Sequence, residues 1–332
     1  MIKLFEMFAG YGGASFALNK ININYECYGF SEIDSHAIKV YNDNHKMKMN
    51  DSLDGKIKDF YTPIVNYGDC KKIKVEELFD FDLLTAGFPC QSFSVAGKGL
   101  GELDARGTLF NEIIRIAEIK KPSFMLLENV KGLTTTKHKQ TFYKILRELD
   151  RIGYVVRWKV LNSKDYGVPQ NRERVWVVCF RKGMDTHKFN FPQKEKTELF
   201  LKDLLEENVA ERYFLSKEQE IKKGFSDKHR VKNIIFRPRK DEGIRIGQEG
   251  ISPCLYKEQR GWTEGLHNTN IIYDGSRWRV LTEKECFRLM GFINDEIKIT
   301  NHKRDYKLAG NGWDINLASK IMKNMLKVGG LN

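Results

Sequence analysis

Apolar and polar positions alternate in blocks along the first 180 residues. Short apolar runs of a strand's length are separated by stretches in which apolar residues recur at helical spacing. The predicted strands are residues 3–8, 26–31, 82–86, 124–128, 154–160 and 174–180, and the predicted helices between them include 108–119 and 140–151. Strands of nearly continuous Val, Leu, Ile and Phe are typical of a parallel sheet covered on both faces. The pattern therefore predicts a doubly wound α/β domain.

The pattern changes after about residue 186. The alternation weakens, and lysines and arginines accumulate between residues 222 and 245. Helical spacing returns at residues 282–290 and 313–326. We therefore expect a large first domain at 1–185, a smaller and irregular domain at 186–276, and a C-terminal segment at 277–332 that packs back on the first domain.

Composition is that of a soluble globular protein with a strong positive charge. Apolar residues make up 41% of the chain and charged residues 30%. No stretch approaches the ~20 apolar residues of a membrane span, and Glu6 interrupts the N-terminus where a secretion signal needs its apolar run. We expect a cytoplasmic location and no membrane partner. The net charge of +12 fits a polyanionic partner, because lysines and arginines release counterions from phosphates, although a solvated surface rich in lysine has the same charge.

The cysteines do not form a metal-binding pattern. They are Cys27, Cys70, Cys90, Cys179, Cys254 and Cys286. None forms a C-x-x-C pair, so neither a zinc site nor a disulfide framework is indicated, and we predict no metal. Most of them are expected to be small buried apolar residues in a reducing compartment. Only Cys90 has neighbours that suggest chemistry.

A glycine-rich turn, Phe8-Ala9-Gly10-Tyr11-Gly12-Gly13, ends the first predicted strand. Glycines here let the backbone turn tightly and bring a ligand close to the main chain. Glu32 follows at the spacing of about 20 residues at which a carboxylate accepts hydrogen bonds from a ribose. Asp69 ends the next predicted strand, where it would contact an adenine. The spacing is not the G-x-G-x-x-G of dinucleotide-binding proteins, so S-adenosylmethionine is the leading candidate, although a tight turn without a ligand has the same residues.

Cys90 lies in Gly87-Phe88-Pro89-Cys90-Gln91-Ser92, directly after an apolar strand. Ligands of open α/β sheets bind beyond the carboxyl ends of strands, and a thiol held there near positive charge can become a nucleophilic thiolate. Glu128 ends a later strand and would act as an acid if its pKa were raised. Arg172 and Arg174 precede the last strand, where guanidinium groups suit carbonyl oxygens and phosphates. Each residue alone has an ordinary structural explanation, but their joint occurrence at strand ends favours a catalytic site.

Together these motifs resemble the cytosine-C5 DNA methyltransferase family, of the bacterial or phage type II modification type, over almost the whole chain. The resemblance rests on the glycine turn and on the motifs Pro89-Cys90-Gln91, Glu128-Asn129-Val130 and Gln170-Asn171-Arg172-Glu173-Arg174. Residues 279–292 are similar to the segment that supports the recognition domain, and residues 306–312 to the final motif that returns to the cofactor pocket. Glu6 replaces the family's usual Asp, and Ile33 replaces a frequent aromatic residue.

The resemblance implies a Rossmann-like, S-adenosylmethionine-dependent methyltransferase domain at 1–185 and a DNA target-recognition domain at 186–276. It implies transfer of a methyl group to C5 of a specific cytosine in double-stranded DNA, with S-adenosylhomocysteine as product and the target base flipped out of the stack. Cys90 would add to C6, Glu128 would contact N3 and the exocyclic amine, and Arg172 would lie on the O2 side. Arg174 of the same motif is a further catalytic candidate. The implied cofactor-binding residues are Phe8, Gly10, Tyr11, Gly13, Glu32, Ile33, Asp69, Cys70, Pro89, Leu109 and Asn311.

Polar residues of the loop after Cys90 and of the basic segment are predicted to contact DNA, with phosphate contact the safer expectation for each. They are Ser92, Lys98, Arg106, Arg237, Arg239, Arg245, Gln259 and Arg260, with Trp262 as a further candidate. We expect a monomer, and a cognate restriction endonuclease that acts separately is a second candidate partner.

Three alternatives stay open at the level of sequence. An RNA methyltransferase of the same fold is disfavoured because its relatives carry Thr after the cysteine, where this chain has Gln91. A non-catalytic DNA-binding relative is disfavoured by the presence of Cys90, Glu128 and Arg172. A nicotinamide-dependent oxidoreductase is disfavoured by the spacing of the glycines.

Overall fold

The computed structural model describes residues 1–51, 58–89, 109–222, 224–239, 243–256, 269–300 and 303–330. The chain divides into two compact units. Unit 1 consists of Met1–Leu161, Arg174–Pro192 and Ala318–Asn332, and unit 2 of Asn162–Glu173 and Gln193–Leu317. The division follows packing alone, so the functional assignment of the three predicted segments stays a prediction.

Strands and helices lie close to where the sequence pattern predicts them. The strands are β1 Ile2–Met7, β2 Tyr25–Ser31, β3 Lys46–Asp51, β4 Lys58–Pro63, β5 Val65–Asn66, β6 Leu83–Gly87, β7 Phe124–Val130, β8 Tyr154–Asn162, β9 Gln170–Asn171, β10 Glu173–Arg181, β11 Ile235–Arg239, β12 Gly243–Ile246, β13 Ser252–Pro253, β14 Ile271–Tyr273 and β15 Trp278–Val280. The α-helices are α1 Gly13–Lys20, α2 Ser35–Asn44, α3 Leu109–Lys120, α4 Lys139–Arg151, α5 Lys217–Lys222, α6 Glu283–Arg288, α7 Arg304–Asn311 and α8 Ile315–Leu326. None of the helices in the described ranges is long and apolar enough to cross a membrane.

The main sheet of the described residues has seven strands in the order β5-β2-β1-β6-β7-β10-β8. Strand β1 pairs in parallel with β2 and β6, β6 with β7, and β2 with β5. These strands confirm the predicted α/β sheet. Strand β10 differs from the predicted parallel arrangement, because it runs antiparallel to β7 with Val175 opposite Asn129. A fully buried strand has the same apolar pattern in either direction, so the sequence carries no signal for this reversal.

Both faces of the sheet are covered. Leu126 and Leu127 of β7 are adjacent, and each is 0% exposed, although successive side chains of a strand point to opposite faces. One face packs on α3 and α4, whose buried residues at helical spacing include Ile113, Ile116 and Ile145. Because β5, β2, β1, β6 and β7 are parallel, their carboxyl ends share one edge, and the residues that follow them meet there.

Unit 2 contains short strands joined by long irregular segments. Four of them form a sheet in the order β12-β11-β14-β15 with antiparallel pairs. Its apolar core includes Phe236, Ile271 and Trp278. Separately, β9 pairs in parallel with β13. The last pair brings the arginine motif next to a segment that is some 80 residues away in the sequence.

Candidate active site

The turn after β1 needs left-handed backbone at several positions. Phe8, Gly10 and Gly12 have φ angles of 54°, 57° and 83°. This conformation costs an L-residue other than glycine roughly 1–2 kcal/mol. At Gly12 there is also no room for a side chain, because a Cβ atom would lie 2.3 Å from Nε2 of His45. The turn therefore leads tightly into α1, which begins at Gly13.

Glu32, directly after β2, lies against this turn. Its Oε2 accepts a hydrogen bond from the N–H of Gly10 at 3.0 Å, and its Oε1 accepts from the N–H groups of Ile33 and Asp34, each at 2.8 Å. The Asn66 side chain holds the main chain of Glu32, donating to its carbonyl at 3.1 Å and accepting from its N–H at 3.2 Å. Ile33 beside it is 76% exposed. The edge thus combines a fixed carboxylate with an exposed apolar side chain.

A second turn follows β5 at the same edge. Ser31 Oγ donates to the carbonyl of Gly68 at 2.6 Å, which ties this turn to the end of β2. The half-buried Asp69 accepts from the N–H of Lys71 at 3.0 Å. The Arg115 guanidinium donates to the carbonyls of Cys70 and Ile73, both at 3.0 Å. Asn66 and Arg115 were not among the predicted site residues, because nothing in their sequence neighbourhood marks them as supports of a turn.

Two residues predicted to contact the cofactor have buried side chains. Tyr11 is 1% exposed and Cys70 is 3% exposed. Burial raises the pKa of the Cys70 thiol to about 11. Phe8 and Leu109 are half-buried and pack on the core of unit 1. The Tyr11 and Cys70 side chains therefore belong to the interior. Only the main-chain atoms of these two residues are available to contact a ligand.

A buried polar network lies beneath the glycine turn. Glu6 accepts from Ser15 Oγ at 2.5 Å, from Tyr41 OH at 3.1 Å and from the N–H of Ala14 at 3.3 Å. Burial raises the pKa of Glu6 to about 7, although the hydrogen bonds oppose this rise. The ring of His45 donates from Nε2 to the carbonyl of Tyr11 at 2.9 Å, and burial lowers its pKa to about 4, so the ring is neutral near pH 7. The network ties the end of β1 to α1 and α2.

The chain approaching Cys90 is fixed to the neighbouring strand β7. Gly87 of β6 is opposite Glu128 in the parallel register. One residue further along each strand, the side-chain amide nitrogen of Asn129 donates to the carbonyl of Phe88 at 2.9 Å, and both residues are buried. Pro89 is exposed, and Cys90 itself lies outside the described residues. The sequence indicated that these two strand ends are close, but it gave no role to Asn129.

Glu128 is paired with an arginine of the same unit. Nε of Arg174 lies 2.9 Å from Oε1 of Glu128, and the two side chains are 15% and 8% exposed. The antiparallel register of β7 and β10 makes them diagonal neighbours, since Trp176 is opposite Glu128 and Arg174 is opposite Val130. Pairing offsets the cost of placing two charges out of water. Arg174 therefore neutralises and orients the carboxylate.

Arg172 belongs to unit 2 and is 1% exposed. Its guanidinium donates to the carbonyl of Gly310 from both Nη1 and Nη2 at 3.2 Å, and to the carbonyl of Gly312 at 2.7 Å. Asn311, between these carbonyls, ends α7 with an exposed side chain. Burial raises the pKa of the neighbouring Asp314 to about 6, while its hydrogen bonds and the charge of Arg172 act in the opposite direction. Arg172 thus holds the main chain on both sides of Asn311.

Of the residues predicted to contact DNA, Arg245 is exposed on β12, whereas Arg237 on β11 is 7% exposed. Arg239 ends β11. Seven predicted residues lie outside the described part of the chain. They are the nucleophile candidate Cys90 and the DNA-contact candidates Ser92, Lys98, Arg106, Gln259, Arg260 and Trp262. In the part of the chain that the structure describes, no group of three or more His, Cys, Asp or Glu residues could hold a metal ion.

Comparison with known proteins gives the same family along the whole chain. The family model of the C-5 cytosine-specific DNA methylases matches residues 2–327. Type II methyltransferase M2.ScrFI of Lactococcus lactis subsp. cremoris is 32% identical over 372 residues, covering 98% of this chain and 99% of that protein. Type II methyltransferase M.NgoBI of Neisseria gonorrhoeae is 40% identical over 325 residues, covering 94% of this chain and 89% of that protein.

Solved structures share the fold of this chain. The crystal structure of the S. pombe Dnmt2 methyltransferase superposes with a TM-score of 0.68 at 21% sequence identity, covering 98% of this chain and 99% of that one. This likeness concerns the fold, which is the Rossmann-like α/β arrangement that the sequence predicts. The matched model and the identities over nearly the full length show that the chain belongs to the C-5 cytosine-specific DNA methylase family and is a DNA methyltransferase of that family.

Proposed function

We propose that the chain transfers a methyl group from S-adenosylmethionine to C5 of a cytosine in double-stranded DNA, with the target base flipped out of the duplex. The observation that carries the proposal is the shared edge of the parallel strands in unit 1. The turn holding Glu32 and the anchored approach to Cys90 follow β2 and β6 at this edge, and the Glu128–Arg174 pair lies near the carboxyl end of β7. A ligand-binding region at the carboxyl ends of strands is the general rule for open α/β sheets.

The residues at the first two turns fit a nucleoside cofactor. The Glu32 carboxylate is an acceptor for ribose hydroxyl groups, Asp69 is an acceptor for an adenine amine, and exposed Ile33 offers an apolar surface to the base. These would be the residues that hold S-adenosylmethionine. When bound, this cofactor supplies an electrophilic methyl group. Loss of the methyl group leaves S-adenosylhomocysteine.

The chain's own residues prepare the cytosine for methylation. The Cys90 thiolate forms a bond to C6, and the electron pair of the C5–C6 double bond becomes available at C5. Glu128 holds or donates the proton at N3, where the negative charge is accepted, and the sequence motif predicts Arg172 for the O2 side. Once C5 carries the methyl group, a base removes the C5 proton and the C6–S bond breaks. Cys90 then returns to its starting state.

Other residues of the site act by positioning. Asn129 fixes the carbonyl of Phe88 two residues before Cys90, and Arg174 fixes Glu128. Base flipping costs a few kcal/mol of stacking and pairing, which phosphate contacts of exposed basic residues such as Arg245 would offset. The monomeric state, a separately acting restriction endonuclease and the cytoplasmic location remain predictions from the sequence.

Methyl transfer with labelled S-adenosylmethionine tests the proposal directly. We expect transfer to duplex DNA and none to RNA of the same sequence. Cys90→Ala should abolish transfer, while calorimetry shows that cofactor binding is retained. Unchanged turnover in this variant would contradict the mechanism, and transfer to RNA alone would contradict the substrate.

A mechanism-based substrate gives a second readout. Duplex DNA containing 5-fluorocytosine at the target should form an adduct with the wild-type protein that survives denaturation, because the C5 fluorine cannot leave as a proton does. The same duplex with ordinary cytosine is the matched control and should form none, and neither should the Cys90→Ala variant. Bisulfite sequencing of DNA from a host that expresses the chain then identifies the target cytosine.

A further inference from the structure

Arg237 is predicted from the sequence to contact DNA, yet its side chain is engaged inside unit 2. Nε and Nη2 both donate to Oδ1 of Asn270, at 2.9 and 2.5 Å, and Nη2 also donates to the carbonyl oxygen of Cys254 at 2.8 Å. Asn270 is 0% exposed. A guanidinium that forks onto a buried amide oxygen and a main-chain carbonyl fixes the position of both.

The segment that Arg237 holds is paired with the arginine motif. Strand β13, just before Cys254, pairs in parallel with β9, with Ser252 opposite Gln170 and Pro253 opposite Asn171. The N–H of Leu255, just after Cys254, donates to Oε1 of the fully buried Gln170 at 3.0 Å. Three contacts therefore fix the position of Cys254. They are the β9–β13 pairing just before it, the hydrogen bond of Leu255 to Gln170 just after it, and the hydrogen bond of Arg237 to its own carbonyl.

Cys254 in turn contacts the residue that follows β9. Nη1 of Arg172 lies 3.5 Å from Sγ of Cys254 and within hydrogen-bond distance of the Gly310 carbonyl. A continuous chain of contacts thus runs from Asn270 through Arg237 and Cys254 to Arg172. Every member belongs to unit 2.

We propose that Arg237 is a positioning residue for methyl transfer, which holds the Arg172 guanidinium through the main chain and thiol of Cys254. The proposal rests on the proposed function, in which Arg172 contacts the target cytosine. It assigns Arg237 to the catalytic step and not to reading or holding DNA. Misplacement of a substrate-contacting group by about 1 Å can cost 10²-fold in rate.

The test separates the catalytic step from DNA binding. Arg237→Gln should lower kcat about 10- to 100-fold, while the dissociation constant for DNA and its dependence on salt stay those of the wild type. Arg237→Lys should remain impaired, because an ammonium keeps the charge but lacks the fork. Arg277→Gln is the matched control, since Arg277 lies in the same unit but outside the basic segment 222–245, is half-exposed and pairs with the exposed Glu211. It should leave both quantities unchanged.

A second pair of variants tests the route through Cys254. Cys254→Ala removes the thiol next to Arg172 but keeps the carbonyl that Arg237 holds. Its loss of kcat should not add to that of Arg237→Gln in the double variant, because residues in one network couple. Because both substitutions lie in unit 2, a cooperative urea transition and DNA affinity like that of the wild type show that each variant is folded.

Three results would overturn the proposal. The first is a decrease of about 0.9 in the slope of log K against log salt in Arg237→Gln with unchanged kcat, which marks a phosphate contact. The second is full recovery by Arg237→Lys, and the third is full additivity with Cys254→Ala. Absence of transfer by the wild-type protein contradicts the proposed function instead, so the two failures are distinguishable.

Discussion

Gly12→Ala is the sharpest perturbation that the structure offers at the glycine turn. The new Cβ atom would lie 2.3 Å from Nε2 and 2.6 Å from Cδ2 of His45, and 2.9 Å from Cε2 of Tyr41. Both rings are buried, and His45 is held by its bond to the Tyr11 carbonyl. Overpacking of this kind costs about 1–3 kcal/mol, in addition to about 1–2 kcal/mol for a left-handed residue with a side chain. We therefore expect a total loss of about 2–5 kcal/mol in the free energy of unfolding.

Gly153→Ala is the matched control for this experiment. Gly153 is also left-handed, with φ of 93°, but its added Cβ atom would meet nothing within 4 Å. Urea unfolding of both variants should give the conformational cost alone for Gly153→Ala and a further 1–3 kcal/mol or so for Gly12→Ala. Titration with S-adenosylmethionine should show weaker binding for Gly12→Ala only, because its turn must shift.

Equal losses of stability in the two variants would refute a steric cost at Gly12. Unchanged cofactor affinity in Gly12→Ala would refute it too, since a turn that accepts a side chain without moving is not tightly packed. A double variant, Gly12→Ala with His45→Ala, removes the ring that the new methyl group meets. It should recover part of the steric loss, and the unfolding measurement shows whether it does.

Two further predictions concern buried polar side chains of unit 1. The pKa of Glu6 is raised from 4.5 to about 7. Between pH 4.5 and pH 7 the folded state therefore keeps a proton on Glu6 that the unfolded state has lost, and stability falls as the pH rises through this window. Glu6→Gln removes that contribution, so its stability relative to the wild type should improve by up to ~3 kcal/mol between pH 5 and pH 8; a pH-independent difference in urea unfolding would contradict this. Asn129→Ala leaves the Phe88 carbonyl without its 2.9 Å donor and should lower kcat about tenfold or more. The control variant Asn44→Ala removes a 2.8 Å hydrogen bond to the carbonyl of Val40 on helix α2 and should leave kcat unchanged. Equal kcat values for the two variants would refute a role of Asn129 in placing Cys90.

The strands and helices of unit 1 could be predicted because their periodicities are strong. Strand β7 is buried along nearly its whole length, and α4 repeats apolar residues at helical spacing. The direction of β10 could not be predicted, because burial on both faces removes the alternation that distinguishes strand environments. Pairing partners such as β13 for β9 were also invisible, since two-residue strands carry no periodic signal.

Part of the site could be predicted from spacing alone. Gly10 and Glu32 are 22 residues apart and in direct contact, because parallel neighbouring strands bring their carboxyl ends to one edge. The supporting side chains Asn66, Arg115 and Asn129 could not be predicted, since a short polar residue reveals its partner only in three dimensions. Arg237 illustrates the same limit for charge. Its residue type favours solvent or phosphate, yet its partners at positions 254 and 270 keep it inside unit 2.

Each charged group of the motifs has a fixed partner within the protein, and this requirement explains why these groups lie at strand ends. A charge removed from water is tolerated only with a partner or several hydrogen bonds. Glu128 has Arg174, and Arg172 has the carbonyls of Gly310 and Gly312. Such partners must stay in place for the charge to keep its orientation, and a strand end fixed by its ladder provides this better than a free loop. The same ladder that stabilises the sheet therefore holds the reacting groups ready, and replacing one partner disturbs the orientation of the other.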